Sequence, residues 1–297
     1  MIFVFGSILQ VIRVETDAAQ KYEHFEFTRH YKYSVGGKGG LQALAAAKAG
    51  AKTAVVSRTG DDELAKHILL RLRKHGVITS GVAKAEKLQT GTAIRLEHEN
   101  RTIIALGASA HATADQIPED VLTDKHIVLL QTELDPAENS KILELAKEKG
   151  ATTILNISPR FEISENDIAN LDYAIMSSKH KEKWKALSGA IAKNGQLKTI
   201  FISHEGAIEL QIKGTTTPLP KANLEDLNWE APEAYEDSFC GTFAANLFAG
   251  QPLDKAILKA HIASALTASN PGGYSAIPYS DAVEECLKTL SEAKNET

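Results

Sequence analysis

Gly36-Gly37-Lys38-Gly39-Gly40 runs directly into Leu41-Gln42-Ala43-Leu44-Ala45-Ala46-Ala47-Lys48-Ala49-Gly50-Ala51. Four glycines around one lysine cost backbone entropy and pack nothing, which predicts an irregular loop over 36–40. The alanines behind it predict a helix over 41–50. A loop of bare amides with one cation, feeding a helix N-terminus, suits an anion or a polar ligand. A tight strand-to-helix turn with a solvated lysine accounts for the same residues. The run is not a P-loop, which ends Gly-Lys-Ser/Thr.

Outward from this turn, apolar runs at 1–5, 53–57, 127–131, 152–156, 173–176, 199–203 and 207–212 predict strands. Helical patterns occupy 41–50, 62–75, 136–149, 179–188, 238–249, 254–269 and 280–293. Strands interleaved with helices predict an α/β fold whose mostly parallel sheet is covered on both faces. Ligands of such a sheet lie beyond the carboxyl ends of its strands. Residues 9–35 and 89–107 break the rhythm, because apolar and polar residues alternate there, with a turn at Glu99-Asn100. Alternation predicts antiparallel strands with one wet face, either a small β lid or two surface hairpins. An amphipathic lid leaves one face needing cover, which predicts a homodimer through it.

The 297 residues can bury a large core, with 43% hydrophobic and 24% charged residues. A formal net charge of -5 gives no basic footprint for nucleic acid. Cys240 and Cys286 are the only cysteines, which argues against a disulfide scaffold and a cysteine-based zinc site. The opening Met1-Ile2-Phe3-Val4-Phe5 lacks the flank of a signal peptide, and no apolar run is long enough to span a membrane. A cytoplasmic protein is expected. The histidines are scattered without metal-ligand spacing, so no metal ligands are assigned.

The Gly36–Gly40 turn, Arg58-Thr59-Gly60-Asp61-Asp62 and Asp237-Ser238-Phe239-Cys240-Gly241-Thr242-Phe243-Ala244-Ala245-Asn246-Leu247 together resemble the ribokinase, or PfkB, family of carbohydrate kinases. So do Ala263-Ser264-Ala265-Leu266, Asn270-Pro271-Gly272-Gly273 and Ala276-Ile277-Pro278. The resemblance runs from Gly6 to about Cys286. It implies a single domain over 1–297, a ribokinase-like three-layer sandwich with a β lid from about 9–35 and 89–107. It also implies phosphate transfer from ATP, aided by Mg, to a hydroxyl of a sugar- or nucleoside-like molecule. Asp237 matches the family's catalytic base, although an aspartate there also suits a helix N-cap. Gly36, Gly37, Lys38 and Glu133 match substrate-binding positions, and Gly206 and Gly241 match nucleotide-binding ones.

The chain departs from the family where the chemistry is done. Before the base the family carries Asp-Thr-Thr-Gly-Ala-Gly, whose small residues let amides approach the transferring phosphoryl group. This chain has Ala231-Pro232-Glu233-Ala234-Tyr235-Glu236, with bulk at Tyr235 and negative charge at Glu233 and Glu236. Where the family's Gly-Ser-Ile-Asn-x-Asp binds sugar hydroxyls, the chain has Leu9 and Val11, and Leu41 replaces another Asn. Hydroxyls desolvated against hydrocarbon go unpaired, so a polyol should bind poorly. The Asn-x-x-Glu metal motif falls near Ser177-Ser178-Lys179-His180-Lys181, where lysines reverse the charge. Lys179, Lys181, Lys183 and Lys185 read as a solvated helix face or as an anion site. In Ser203-His204-Glu205-Gly206 the nucleotide loop keeps only its last glycine. ATP with magnesium is expected to bind weakly or not at all. Three readings stand: a kinase of weak activity, a silent relative that binds a metabolite or a protein, and a structural dimer.

Overall fold

In the computed structural model, residues 1–15, 21–22, 25–28, 30–97, 99, 101–203, 206–219 and 234–295 are described. Nine strands form the main sheet: β1 (Ile2–Phe5), β6 (Thr53–Gly60), β7 (Ile78–Ala85), β10 (Ile127–Thr132), β11 (Thr152–Pro159), β12 (Tyr173–Ser177), β13 (Lys198–Ile202), β14 (Ile208–Ile212) and β15 (Thr215–Pro218). Their order is β15-β14-β13-β12-β11-β10-β1-β6-β7. Pairing is parallel from β7 to β13, while β14 and β15 add antiparallel. β1 pairs β6 in one direction and β10 in the other, so strand order reverses at β1. The carboxyl end of β1 is therefore where a ligand site belongs.

Period-two alternation divides the core into two layers. Ile2, Val4, Val55, Leu129, Ile154 and Ile200 face one side, with Leu44, Phe239 and Phe243. Phe3, Phe5, Val56, Val128, Leu130 and Phe201 face the other, with Ile142, Leu143 and Trp184. The first layer is covered mainly by α1 (Lys38–Lys48), α7 (Tyr235–Phe248) and α8 (Leu253–Ala268). The second is covered by α3 (Pro136–Glu148), α4 (Glu165–Ala169), α5 (Lys181–Lys185) and α6 (Ser188–Lys193). The remaining helices are α2 (Glu63–Lys74), whose Ile68 and Leu72 join the first layer, and α9 (Ser280–Asn295), which packs on α8. Among the described residues no helix is long and apolar enough to cross a membrane.

The two alternating segments do come together. β2 (Leu9–Glu15), β5 (His30–Gly36), β8 (Thr90–Leu96) and β9 (Arg101–Gly107) form a second sheet in the order β5-β2-β8-β9. A two-stranded ribbon, β3 (Lys21–Tyr22) with β4 (Phe25–Glu26), lies within the first segment. The expected antiparallel pairing needs correction at the centre, where β2 and β8 run parallel. Each hairpin is antiparallel within itself, but the two segments join side by side. Residues 16–20, 23–24, 29, His98 and Asn100 of these segments lie outside the described residues.

Two further expectations change, and two strands appear where none was expected. The loop over 36–40 is shorter, because α1 already begins at Lys38 and only Gly37 takes a positive φ, +81°. Gly39 sits inside that first turn because a side chain there would meet the Gly6 backbone at 2.5 Å. The helix over 179–188 is broken into a 3-10 turn at Ser178–His180, then α5 and α6. The strands β7 and β15 carry no clean apolar run, being edge strands half exposed or fully exposed. Asp62 accepts from Ala65 N at 2.8 Å as the N-cap of α2, and also from Thr90 N at 2.8 Å. It thereby ties the main domain to β8.

Candidate active site

The site assembles at the strand-order reversal. Ser7 follows β1, Glu133 follows β10, Lys38 opens α1 and Asp237 lies in the first turn of α7. The Ser7 hydroxyl donates to Glu133 Oε2, which also accepts from the Lys38 backbone N–H at 3.1 Å. Glu133 is thus the anion at the α1 N-terminus, supplied by the chain itself. Lys38 Nζ donates to Asp237 Oδ1 at 3.2 Å and lies 3.8 Å from Glu236 Oε2. The sequence-predicted residues Lys38, Glu133 and Asp237 therefore share one buried cluster.

Gln42 and Glu236 belong to it too, and neither was assigned a site role from the sequence. Gln42 lies four residues after Lys38 and so on the same face of α1. Its Nε2 donates to Asp237 Oδ1 at 2.8 Å and to Asn156 Oδ1 at 3.1 Å. Gln131 Nε2 in turn donates to Gln42 Oε1 at 2.8 Å, which fixes the amide with its nitrogen towards Asp237. Burial pushes the Asp237 carboxyl up, against the pull of Lys38 and Gln42. Burial alone would lower the Lys38 ammonium, but Asp237, Glu236 and Glu133 outweigh it and raise it.

Asp237 is not an N-cap. Helix α7 starts at Tyr235, three residues before the expected 238, so Ala234 occupies the cap and Asp237 is the third helical residue. Ala234 holds φ 59° and ψ 4°, a left-handed conformation that favours glycine. The turn keeps a glycine's backbone shape without a glycine. Ala231, Pro232 and Glu233, together with His204 and Glu205, lie outside the described residues.

The remaining assigned residues take other places. Gly36 ends β5, where a side chain would strike Val11 Cγ2, and Gly37 caps α1 against Ser7. Gly241 is a packing residue: a Cβ there would lie 2.6 Å from Ala45 Cβ and 2.8 Å from Ala46 N of α1. Gly206 stands apart in the β13–β14 turn, its N–H bonded to Ser203 O at 3.1 Å. Leu9 and Val11 are buried with Ala93 in a small apolar cluster of their own. Leu9 Cδ2 occupies the space above Gly91 as Val11 Cγ2 does above Gly36. Among the lysines of the 179–185 segment, Lys181 pairs with Glu209 at 2.5 Å and Lys183 lies 5.7 Å over the Phe161 ring. Among the described residues, no three His, Cys, Asp or Glu side chains are grouped so as to hold a metal ion.

Known proteins share this architecture. A ribokinase of Haemophilus influenzae is 26% identical over 282 residues, covering 89% of this chain and 90% of its own. The crystal structure of a Thermotoga maritima ribokinase superposes with a TM-score of 0.82 at 27% identity, over 97% of this chain and 99% of its own. An Arabidopsis thaliana ribokinase complexed with ribose and ATP shows the same fold, with a TM-score of 0.81 at 22% identity over 97% and 98% of the two chains. The family model of the pfkB carbohydrate kinases matches residues 1–186, well over half of the sequence. With the strand reversal, the second sheet and the α1–α7 cluster all in place, this chain belongs to the pfkB family of carbohydrate kinases.

Proposed function

We propose that this protein is a pfkB-family carbohydrate-kinase homologue whose ATP-dependent phosphotransfer has been lost, leaving a binding module for a metabolite or a protein. The observation that carries this reading is the Lys38 ammonium shared between Asp237 at 3.2 Å and Glu236 at 3.8 Å. One cation thus answers two carboxylates at the α7 N-terminus, with Glu133 a third close by. A triphosphate would bring further negative charge into this buried cluster. Like charges a few ångströms apart cost on the order of 4 kcal/mol at an effective dielectric near 20. The residues present therefore do not fit a magnesium-bound nucleotide. The hydrocarbon of Leu9 and Val11 stands where hydroxyl-binding groups would be needed. Lys38, Gly36, Gly37 and Glu133 remain the contacts of choice for a sugar- or nucleoside-like ligand of lower polarity.

A second reading, a weak kinase, is favoured by Asp237 itself. Its Oδ1 is fixed by two donors at 2.8 and 3.2 Å, as a positioned base would be. Calorimetry with ATP and magnesium, followed by a coupled assay over common sugars and nucleosides, separates the two. The silent reading expects neither heat nor turnover. ATP consumption above background that Asp237→Asn abolishes would establish the kinase.

The second sheet is proposed as the surface for a second copy of this chain. Tyr31 and Tyr33 of β5, Ile94 of β8 and Ile103 of β9 are large, exposed and on one face of the sheet. Such a concentration of apolar side chains on one small sheet marks an interaction face.

A further inference from the structure

A cleft of about 730 Å³ lies on the opposite side of the main sheet from the Lys38–Asp237 cluster. Its floor includes Trp184 and Phe201, both in the core layer that faces α3–α6 and away from α1 and α7. The cleft exists because α5 and α6 cover β12 and β13 while β14 and β15 extend the sheet beyond them. Ile191 and Ala192 of α6 form one wall, and Gln211 and Thr216 of the β14–β15 hairpin form the other.

Its charge is asymmetric. Lys181, Lys185 and Lys213 line it against Glu182 and Glu209, and Lys181 is already committed to Glu209 at 2.5 Å. Lys185 and Lys213 make no ion pair among the described residues, and they stand on opposite sides, one on α5 and one at the hairpin turn. Lys213 is one of two non-glycine residues with positive φ among the described residues, at 49°, so the turn presents this lysine at some conformational cost. Trp184 is 1% exposed, and its indole N–H has no hydrogen-bond partner. An aromatic and aliphatic floor under two unpaired cations, in a space of this size, matches the usual makeup of a small-molecule site.

We propose that this cleft is a second ligand site, taking a small organic acid with a flat apolar body. The body lies against Ile191 and Ala192, above the buried Trp184 and Phe201. The acid group is held by Lys185 and Lys213. The site does not depend on whether the pfkB site is active, since the two share no residue.

Trp184 reports on it directly. The chain has two tryptophans, so Trp229→Phe leaves Trp184 as the sole indole. In that background we would titrate 1-naphthoate and, as a neutral control, 1-naphthalenemethanol, following Trp184 emission. The expected result is saturable quenching by naphthoate, at least tenfold weaker for the alcohol. Lys185→Glu/Lys213→Glu, two surface changes, should weaken naphthoate at least tenfold, whereas Lys66→Gln, at an exposed lysine of α2, should leave it unchanged. The proposal falls if quenching does not saturate below millimolar naphthoate. It falls equally if the double charge reversal has no effect, or if Lys66→Gln weakens binding as much. Circular dichroism of the double variant checks that a loss of binding is not a loss of fold.

Discussion

Lys38 Nζ and Asp237 Oδ1 lie 3.2 Å apart, tying the first residue of α1 to the third of α7 across 199 residues of sequence. Both groups are almost fully removed from water, with side-chain exposures of 16% and 7%. Removing one partner of such a pair costs about 3–5 kcal/mol, because the other charge remains buried alone. Lys38→Met is expected to lose stability of that order at pH 7.5, measured by urea unfolding.

The pH dependence of that variant follows from Asp237. Burial already raises its carboxyl, and loss of the lysine raises it further. The native state then binds more protons than the unfolded one, so stability falls as pH rises through the folded value. Lys38→Met should thus recover stability between pH 7.5 and 5. The wild type should lose the Lys38 contribution only in strong alkali, above the ordinary lysine range, because the carboxylates hold that ammonium charged. A variant equally unstable at both pH values would show that Asp237 is not the uncompensated charge.

Ala234 offers a test in the opposite direction. At φ 59° its Cβ is strained, and left-handed backbone costs an ordinary residue about 1–2 kcal/mol. Part of this is returned because glycine is freer in the unfolded chain. Ala234→Gly should stabilise the protein by about 0.5–1 kcal/mol, seen as a raised Tm. It should leave nucleotide affinity unrestored, because Glu236 and its pairing with Lys38 remain.

Much of the fold was legible in the sequence because buried parallel strands announce themselves. Val55-Val56 in β6 and Ile127-Val128-Leu129-Leu130 in β10 are apolar on both faces, and only a covered sheet explains them. β7 was not legible, since Gly81 and a register shift opposite Ala54/Val56 interrupt any pattern. Local sequence also could not show that β2 and β8 run parallel, as they are separated by most of a hundred residues. Within the site, Lys38, Glu133 and Asp237 are legible from the sequence, and they meet. Gln42 is not, because an amide inside an alanine-rich helix gives no signal until its partners Gln131 and Asn156 are placed around it. Gly241 reads by resemblance as a nucleotide contact, yet its lack of a side chain serves the α1–α7 packing.

That packing leaves no room for a side chain at Gly241. An added methyl would sit 2.6 Å from Ala45 Cβ and 2.8 Å from the Ala46 amide, and closer still to the Gln42 carbonyl. Two of these three are backbone atoms in the centre of a buried helix and cannot yield. Overpacking of this kind costs typically about 1–3 kcal/mol. Gly241→Ala should lower stability by at least that much and push α1 away from α7, lengthening the Lys38–Asp237 contact. A Tm within a degree of wild type would contradict the close helix approach.

The dimer proposal makes the last prediction. Ile103 on β9, Ile94 on β8 and Tyr33 on β5 are 51%, 39% and 51% exposed on one face of the sheet, each far outside the apolar core. Exposed isoleucines and tyrosine on a four-stranded sheet lose apolar surface to water only if something covers them, and each buried Å² returns about 25 cal/mol. A second copy offers the same apolar face in return, and two-fold pairing of one surface with itself is the commonest form of soluble oligomer. Light scattering after size exclusion should therefore give twice the chain mass at micromolar concentration. Ile103→Lys/Tyr33→Lys should convert it to monomer without loss of thermal stability in the monomer, because neither side chain is buried within its own chain. A wild-type mass equal to one chain at every concentration tested would remove the proposal. A double variant that remains dimeric would move the interface to another face.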